Sequence, residues 1–344
     1  MEVYSKPLVS VCIAVYNAEK FIKDAIMSVI NQTYENLEVL ILDDFSTDNT
    51  LNELEKLVQL DDRIIIHRNV QNLGYLRSFN KLLELATGDF VSFVDADDWI
   101  DINKIELQLE VFSKNPEIGL VGTNINRTDV QGRKVGTESY PSEYEEIKIY
   151  LSEHDDVCMC GSSVMIRREV IECLGGYREF FEGCPAEDYD WIRRIVERYK
   201  CVNLNEYLYN YRFADASLTR KVHYSVKARN AALITKFLAS QRHANGFDSL
   251  DNPDDLGLRN LLEELEREQS NNICSLYKST AIQHAINGNL KASINDFKVC
   301  MRNKLGLYDF VKLFIVLFVI TVVPNDFLLR VKNIIGIKSV TKSV

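Results

Sequence analysis

Five apolar runs before residue 126, separated by segments of helical period, set the tightest limit on how this chain can fold. They read LVSVCIAVYN, LEVLILDD, RIIIHRN, DFVSFVDAD and IGLVGTNI. Apolar residues at consecutive rather than alternate positions mark strands covered on both faces. Between them, Phe21, Ile22, Ala25, Ile26, Val29 and Ile30 share one helix face, with Asn17 as the expected cap. Leu51, Leu54, Leu57 and Val58 repeat the pattern after the cap candidates Ser46 and Thr47, and Leu76, Phe79, Leu82, Leu83 and Ala86 form a third stripe. Strand–helix alternation of this kind predicts an α/β fold with a mostly parallel sheet flanked by helices. Such sheets bind ligands at the carboxyl ends of their strands.

Acidic residues stand at two of those ends: Asp43-Asp44 after the second run, and Asp95, Asp97 and Asp98 after the fourth. Carboxylates crowded at the end of a buried strand repel one another and lose hydration. A solvated loop, a helix cap or a flavodoxin-like receiver would each account for a lone Asp-x-Asp. An EF-hand is excluded, because its glycine and distal glutamate are missing. The receiver leaves the long mixed extension unexplained. Paired aspartates are hard oxygen ligands that suit Mg²⁺ or Mn²⁺, with phosphate oxygens and water completing the shell. A cation there would cancel the repulsion.

Residues 120–220 are mixed. DVQGRKVG reads as a hairpin turn, SSVMIRR as a short strand, and EVIECLGG as a helix stopped by glycine. AEDYDWIRRIVERYK is an amphipathic helix with Trp191, Ile192, Ile195 and Val196 inward, and CVNLNEYLYNYRF returns to extended structure. From about 221 the pattern is helical, with a hairpin turning at Asn287-Gly288-Asn289. That hairpin resembles one tetratricopeptide-type unit, too few for a repeat array.

The formal net charge of −10 argues against nucleic acid as a partner, since phosphate binding wants a basic face. Eight scattered cysteines without a CxxC pair fit neither a zinc site nor a disulfide framework, and agree with reduced thiols in a cytosolic setting. The five histidines, at 67, 154, 223, 243 and 284, have no ligand spacing. MEVYSKPLVS lacks the basic and apolar regions of a secretory signal.

The stretch VSVCIAVYNAEKFIKDAIMSVINQTYENLEVLILDDFSTDNT resembles the opening of family 2 glycosyltransferases, inverting enzymes with the Rossmann-like GT-A fold. The resemblance continues through NLGYLRSFNKLLELATGDFVSFVDADD, LGGYREFFEGCPAEDYDWIRRI and YNYRFADASLT, four motifs in the family's order. It implies that Asp44 accepts a hydrogen bond from the nucleotide base, a role that suits an ionised carboxylate facing the imide N–H of uracil. Asp43 either helps or caps the next helix. Asp95 and Asp97 match the family's Asp-x-Asp, which implies Asp97 as the metal ligand and Asp95 near the ribose or the metal, with Asp98 supporting them. Tyr16 and Asn17 would border the nucleotide.

Asp188 in AEDYDW matches the family's catalytic base, with Glu187 as the alternative. At a helix start the dipole favours its ionised form. Arg212 matches an arginine near the diphosphate or acceptor. Two departures stand out: Ala214 replaces a frequent histidine, and Phe79 replaces a frequent arginine, for which Arg77 is a possible substitute. Trp191 and Tyr189 are read as core, and Tyr177 as core or acceptor wall.

FVKLFIVLFVITVV, residues 310–323, is the most apolar stretch. As a helix it would reach roughly 20 Å against a bilayer core of about 30 Å. Lys312 interrupts it and Pro324 ends it, while Arg330, Lys332 and Lys338 follow. This favours an interfacial or re-entrant anchor on anionic lipid over a full span, with a buried helix as the alternative.

The expected organisation is a GT-A domain over 1–220, divided into a nucleotide-binding half (1–100) and an acceptor half (101–220). A helical region (221–304) and a tail (305–344) follow. The expected activity is metal-dependent inverting transfer from a nucleotide-diphosphate sugar, with UDP as the expected carrier. The acceptor is a glycan or lipid-linked glycan, met at the cytoplasmic face of the inner membrane. The rivals are a sugar nucleotidyltransferase, which wants a glycine-rich phosphate loop that AVYNAEKF does not supply, and a non-catalytic nucleotide-sugar-binding protein whose helices recruit partners.

Overall fold

A computed structural model describes residues 6–154, 156–213, 222–252 and 254–303, together with 311 and 314. Its strands are β1 (Val9–Val15), β2 (Leu37–Asp43), β3 (Ile64–Arg68), β4 (Phe90–Phe93), β5 (Trp99–Ile100), β6 (Ile118–Thr128), β7 (Lys134–Glu138), β8 (Met165–Arg167) and β9 (Lys200–Arg212). Hydrogen bonding orders them β3-β2-β1-β4-β8-β6-β9-β5, with β7 paired to β6. The half from β3 to β4 is parallel throughout. Beyond it β8 runs antiparallel to both β4 and β6, while β6 and β9 are parallel. The sheet is therefore mixed, because the short β8 runs against the direction of its neighbours.

The five apolar runs became β1, β2, β3, β4 and β6, and the register explains why their ends matter. Val15 pairs with Asp43 and Cys12 with Phe93, so the chain leaves β1, β2 and β4 along one edge of the sheet. Val9, Val11, Ile13, Val39 and Ile41 are fully buried beneath that edge. Under β4 sits Lys104, also fully buried, whose Nζ donates to Ser92 Oγ at 3.1 Å and Gln108 Oε1 at 3.0 Å. Burial without a carboxylate partner pushes its ammonium down to about 7.

Helices cover the sheet where the apolar stripes predict them, but their starts differ. Asn17 does not cap the helix Ile22–Ile30, which has no side-chain cap. Instead Asn17 turns left-handed (φ 50°) and its Oδ1 accepts from Thr47 N at 2.8 Å. Likewise the helix Thr50–Leu57 begins after Asn49 rather than after Ser46 or Thr47, and Asp48 Oδ1 accepts from Thr50 N at 3.0 Å.

The chain divides into two compact units. The first comprises Met1–Ala214 and Ala231–Asn252, the second Asp215–Asn230 and Pro253–Val344. The segment 231–252, grouped with the helical region by its sequence, packs with the sheet-bearing unit for an electrostatic reason. Fully buried Asp190 lies between Arg178 and Arg194, and fully buried Asp248 between Arg178 and Arg242. This network carries the helix Ala231–Asn245 onto the helix Glu187–Val196.

In the second unit the helices Ile273–Ile286 and Leu290–Arg302 form the hairpin expected from sequence, turning through Gly288 at φ 75°. The apolar tail lies outside the described residues apart from Val311 and Phe314. Among the described residues no helix is long and apolar enough to cross a membrane.

Candidate active site

The carboxyl ends of β1, β2 and β4 and the start of the helix Glu187–Val196 gather the acidic residues, each in a different setting. Asp44 is almost fully buried. Its Oδ1 accepts from Asn69 Nδ2 and Leu73 N, and its Oδ2 from Gly74 N, each at 2.8 Å. Gly74 stands at φ 86°, so glycine lets the chain turn there into the helix Tyr75–Leu85. Asp44 thereby closes the loop after β3 onto the end of β2. Asp43 is fully buried, accepts from Ser46 N at 3.0 Å, and has Arg68 Nε 3.0 Å from its Oδ2. Tyr16 is 49% exposed beside them.

Tyr209 of β9 organises the loop after β4. Its hydroxyl donates to Asp98 Oδ2 at 2.8 Å and accepts from Asp95 N at 3.1 Å. Asp98 also accepts from Arg212 N at 2.7 Å and is almost fully buried. Burial and the charges of Asp95 and Asp97 hold its carboxyl well above the usual range. Asp95 accepts from Ser162 Oγ at 2.5 Å and from Tyr75 Oη at 3.4 Å, and burial with the neighbouring Asp97 pushes it up to about 6. Asp97 is raised by burial, partly offset by Arg212. Among the described residues, no group outside Asp97 itself donates to its carboxylate.

Arg212 is spent inside the chain. Its Nε donates to Asp97 O at 2.8 Å, Nη1 to Val130 O at 3.0 Å, and Nη2 to Asp24 Oδ2 at 2.8 Å. Its guanidinium carbon also lies 4.7 Å from the Phe21 ring centre and 4.8 Å from that of Trp99. In this arrangement it clamps the Asp97 main chain and does not stand free for a diphosphate, the position its motif implies.

Asp188 and Glu187 share the first turn of their helix. Burial raises both carboxyls, and the charge of Asp188 raises Glu187 further. Asp188 rests against Gly161, where an added Cβ would lie 2.8 Å from its Oδ2. Gly161 and Ser162 belong to one short 3₁₀ turn, Gly161–Ser163, so a single turn contacts Asp188 with one residue and Asp95 with the next. That turn is pinned from beneath by Gln108 Nε2 on Ser163 O at 3.0 Å and by Thr123 N on Ser163 Oγ at 3.3 Å.

Sequence reasoning missed Ser162, Gly161, Tyr209 and Tyr75. Only the spacing of Tyr209 ahead of Arg212 hinted at one of them. Phe79, at the position of a frequent arginine, is buried and stacks on Tyr177 with ring centres 3.9 Å apart. Trp191 completes this aromatic wall and donates from Nε1 to Gly175 O at 2.7 Å. Arg77 pairs with Glu182 at 2.9 Å. Tyr177 and Trp191 are therefore core.

The donor set fits a divalent hard cation. Asp95 and Asp97 offer carboxylate oxygens whose ionised forms burial and mutual charge disfavour, so a cation relieves what the fold leaves strained. Among the described residues no third carboxylate, histidine or cysteine converges with them. Such a pair leaves most of the coordination sphere to water and phosphate.

A parallel first half, an antiparallel crossing strand and acidic groups at the strand ends define a GT-A glycosyltransferase fold. The family described as Glycosyl transferase family 2 matches residues 10–175. An uncharacterized glycosyltransferase of Haemophilus influenzae is 36% identical over 60% of this chain and 65% of its own length. One from Methanocaldococcus jannaschii is 33% identical over 60% of this chain and 71% of its own. A hyaluronan synthase of Pasteurella multocida is 29% identical over 59% of this chain but 20% of its own length. Among solved structures, S. aureus TarS 1-349 in complex with UDP-GlcNAc superposes with a TM-score of 0.55 at 17% identity, covering 86% of this chain and 90% of that one. The mannosyltransferase PcManGT from Pyrobaculum calidifontis, in complex with GDP-Man and Mn2+, gives 0.50 at 16% identity over 97% and 89%. This chain belongs to glycosyl transferase family 2.

Proposed function

We propose that the chain transfers a sugar, with inversion, from a UDP-sugar to a hydroxyl of a glycan or lipid-linked glycan during polysaccharide or glycoconjugate assembly. The observation that carries this reading is the turn Gly161–Ser163, which holds Asp188 and Asp95 in one frame. An inverting displacement needs a base on one side of the anomeric carbon and a held diphosphate on the other.

Tyr16 and Asp44 border the nucleotide base. A carboxylate has about four acceptor sites, and three hydrogen bonds leave Asp44 capacity for an imide N–H. Asp95 and Asp97 would hold Mg²⁺ or Mn²⁺, which when bound offsets the charge of the departing diphosphate. Asp188 takes the acceptor proton as that oxygen attacks. Its carboxyl, raised by burial, is a stronger base than an exposed aspartate. Arg212 acts through the Asp97 main chain that it holds. The acceptor is met at the cytoplasmic face of the inner membrane, and the tail 305–344 supplies peripheral contact.

Support comes from the family assignment and from relatives whose names specify polysaccharide synthesis. Calorimetric titration of UDP with and without Mn²⁺ tests the site. Binding that needs the metal in the native chain and loses that dependence in Asp97→Asn is expected. Equal affinities with and without metal in the native chain refute it.

A further inference from the structure

Phe45 stands on backbone that its residue type avoids. Its φ is 62°, in the left-handed region where a Cβ is disfavoured and glycine or asparagine is usual. Burial does not compensate, since 42% of the residue is exposed. The turn is held by its neighbours rather than by the ring. Asp44 N donates to Val15 O at 2.8 Å, Ser46 N to Asp43 Oδ1 at 3.0 Å, and Asn17 N to Ser46 Oγ at 3.0 Å. A glycine would fit these bonds with less strain, yet the position carries a phenyl ring. Strained residues of this kind cluster at ligand sites.

The surroundings point to a flat ligand. Arg68 lies 5.2 Å from the ring centre and is anchored 3.0 Å from Asp43 Oδ2, so one face of the ring is backed and oriented. Tyr16 follows Val15, the partner of Asp43 across the strands, so a second exposed aromatic flanks buried Asp44. We propose that the open face of Phe45 stacks on the base of the donor nucleotide, making Phe45 a determinant of how tightly the nucleoside end is held. This rests on the donor reading above and assigns one component of it. Stacking uses the π-face that every base has, so Phe45 contributes affinity for the nucleoside and none for the diphosphate.

The test uses the full chain with Mn²⁺, titrated by calorimetry with UDP and, separately, with inorganic pyrophosphate. Phe45→Leu keeps apolar bulk without a π-face, Phe45→Asn keeps compatibility with the left-handed backbone, and Phe45→Tyr keeps the ring. Both ring-less variants are expected to weaken UDP by about 5- to 150-fold, the span of one base–aromatic stack. Pyrophosphate binding stays at the native level, and Phe45→Tyr binds UDP like the native chain. Melting curves identify which variants fold, and either folded ring-less variant decides. One that binds UDP as tightly as the native chain, or loses pyrophosphate as severely as UDP, overturns the stacking role. A native chain that binds pyrophosphate but not UDP overturns the donor reading itself.

Discussion

Gly161→Ala is the sharpest test of the proposed geometry, because it puts a methyl group in place of a hydrogen at the point where the turn meets Asp188. The new Cβ would lie 2.8 Å from Asp188 Oδ2 and 2.9 Å from Asp188 Cβ, whereas ordinary contacts begin near 3.4 Å. Asp188 or the turn must therefore yield by about 0.6 Å. The turn cannot retreat freely, since Gln108 and Thr123 bind Ser163 from below. Gly161 is not among the residues of positive φ, so alanine brings no backbone strain and the effect is steric. Displacing a reacting group by about 1 Å costs on the order of 10² in rate, equivalent to about 2.7 kcal/mol. The expected result is kcat lowered by about that factor, with UDP affinity and melting temperature close to native. Release of UDP from the donor gives the rate and calorimetry gives the affinity. Gly136→Ala, whose Cβ would meet nothing within 4 Å, is the neutral control. If Gly161→Ala turns over at the native rate, Asp188 is not the group that takes the proton.

Asp188→Asn should leave UDP binding intact and lower turnover by about 10² to 10⁴, the range of general-base catalysis; near-native transfer would move the role to Glu187. Because burial raises Asp188, its carboxyl stays protonated to a higher pH than an ordinary aspartate does. The rate should fall as pH drops through a limb displaced upward from an ordinary aspartate near about 3.9, and a limb at that ordinary value would contradict the burial argument. Asp190→Ala leaves Arg194 without its fully buried partner and Arg178 with Asp248 alone, and should destabilise by about 3–5 kcal/mol, read from denaturant midpoints. Deleting 305–344 should release the chain from anionic liposomes in flotation while the remainder keeps its melting transition; a full-length chain that never floats refutes the anchor.

The inner strands β1, β2 and β4 were legible because they are covered on both faces, and consecutive apolar residues such as Val39, Leu40, Ile41 and Leu42 admit few other readings. Motif positions were legible too, since Asp44, Asp95, Asp97 and Asp188 fall at strand or helix ends that local pattern locates. What pattern could not locate was the partner of each charge. Arg212 is 188 residues from Asp24 and 82 from Val130, so nothing local revealed that its nitrogens were committed. The grouping of 231–252 with the later helices differs from the structure for the same reason. The segment 231–252 reads as one more helix, and only the buried Asp248 between Arg178 and Arg242 places it on the sheet-bearing unit. Mistaken caps at Asn17, Ser46 and Thr47 show a smaller version of the problem. Side chains that could cap a helix instead accept from main-chain groups across the ends of β1 and β2, Ser46 Oγ from Asn17 N and Asn17 Oδ1 from Thr47 N.

The acidic cluster after β4 is tolerable because its members are not equivalent. Asp98 is deepest and has two strong donors, Tyr209 Oη and Arg212 N, so the fold supports it without a ligand. Asp95 has a hydroxyl on each oxygen, from Ser162 and Tyr75, which fix its direction and only partly oppose its raised pKa. Asp97 has its main chain gripped by Arg212 while its carboxylate receives no donor from another described residue. The number of donors on each carboxylate thus falls from Asp98 and Asp95 to Asp97, the one whose main chain Arg212 holds. On the proposed reading, Asp97 would offer a cation a carboxylate whose main chain is already in place. Substituting Arg212 should on this account weaken metal binding through lost positioning, an effect that Lys, with no planar fork to span Asp97, Val130 and Asp24, would not rescue.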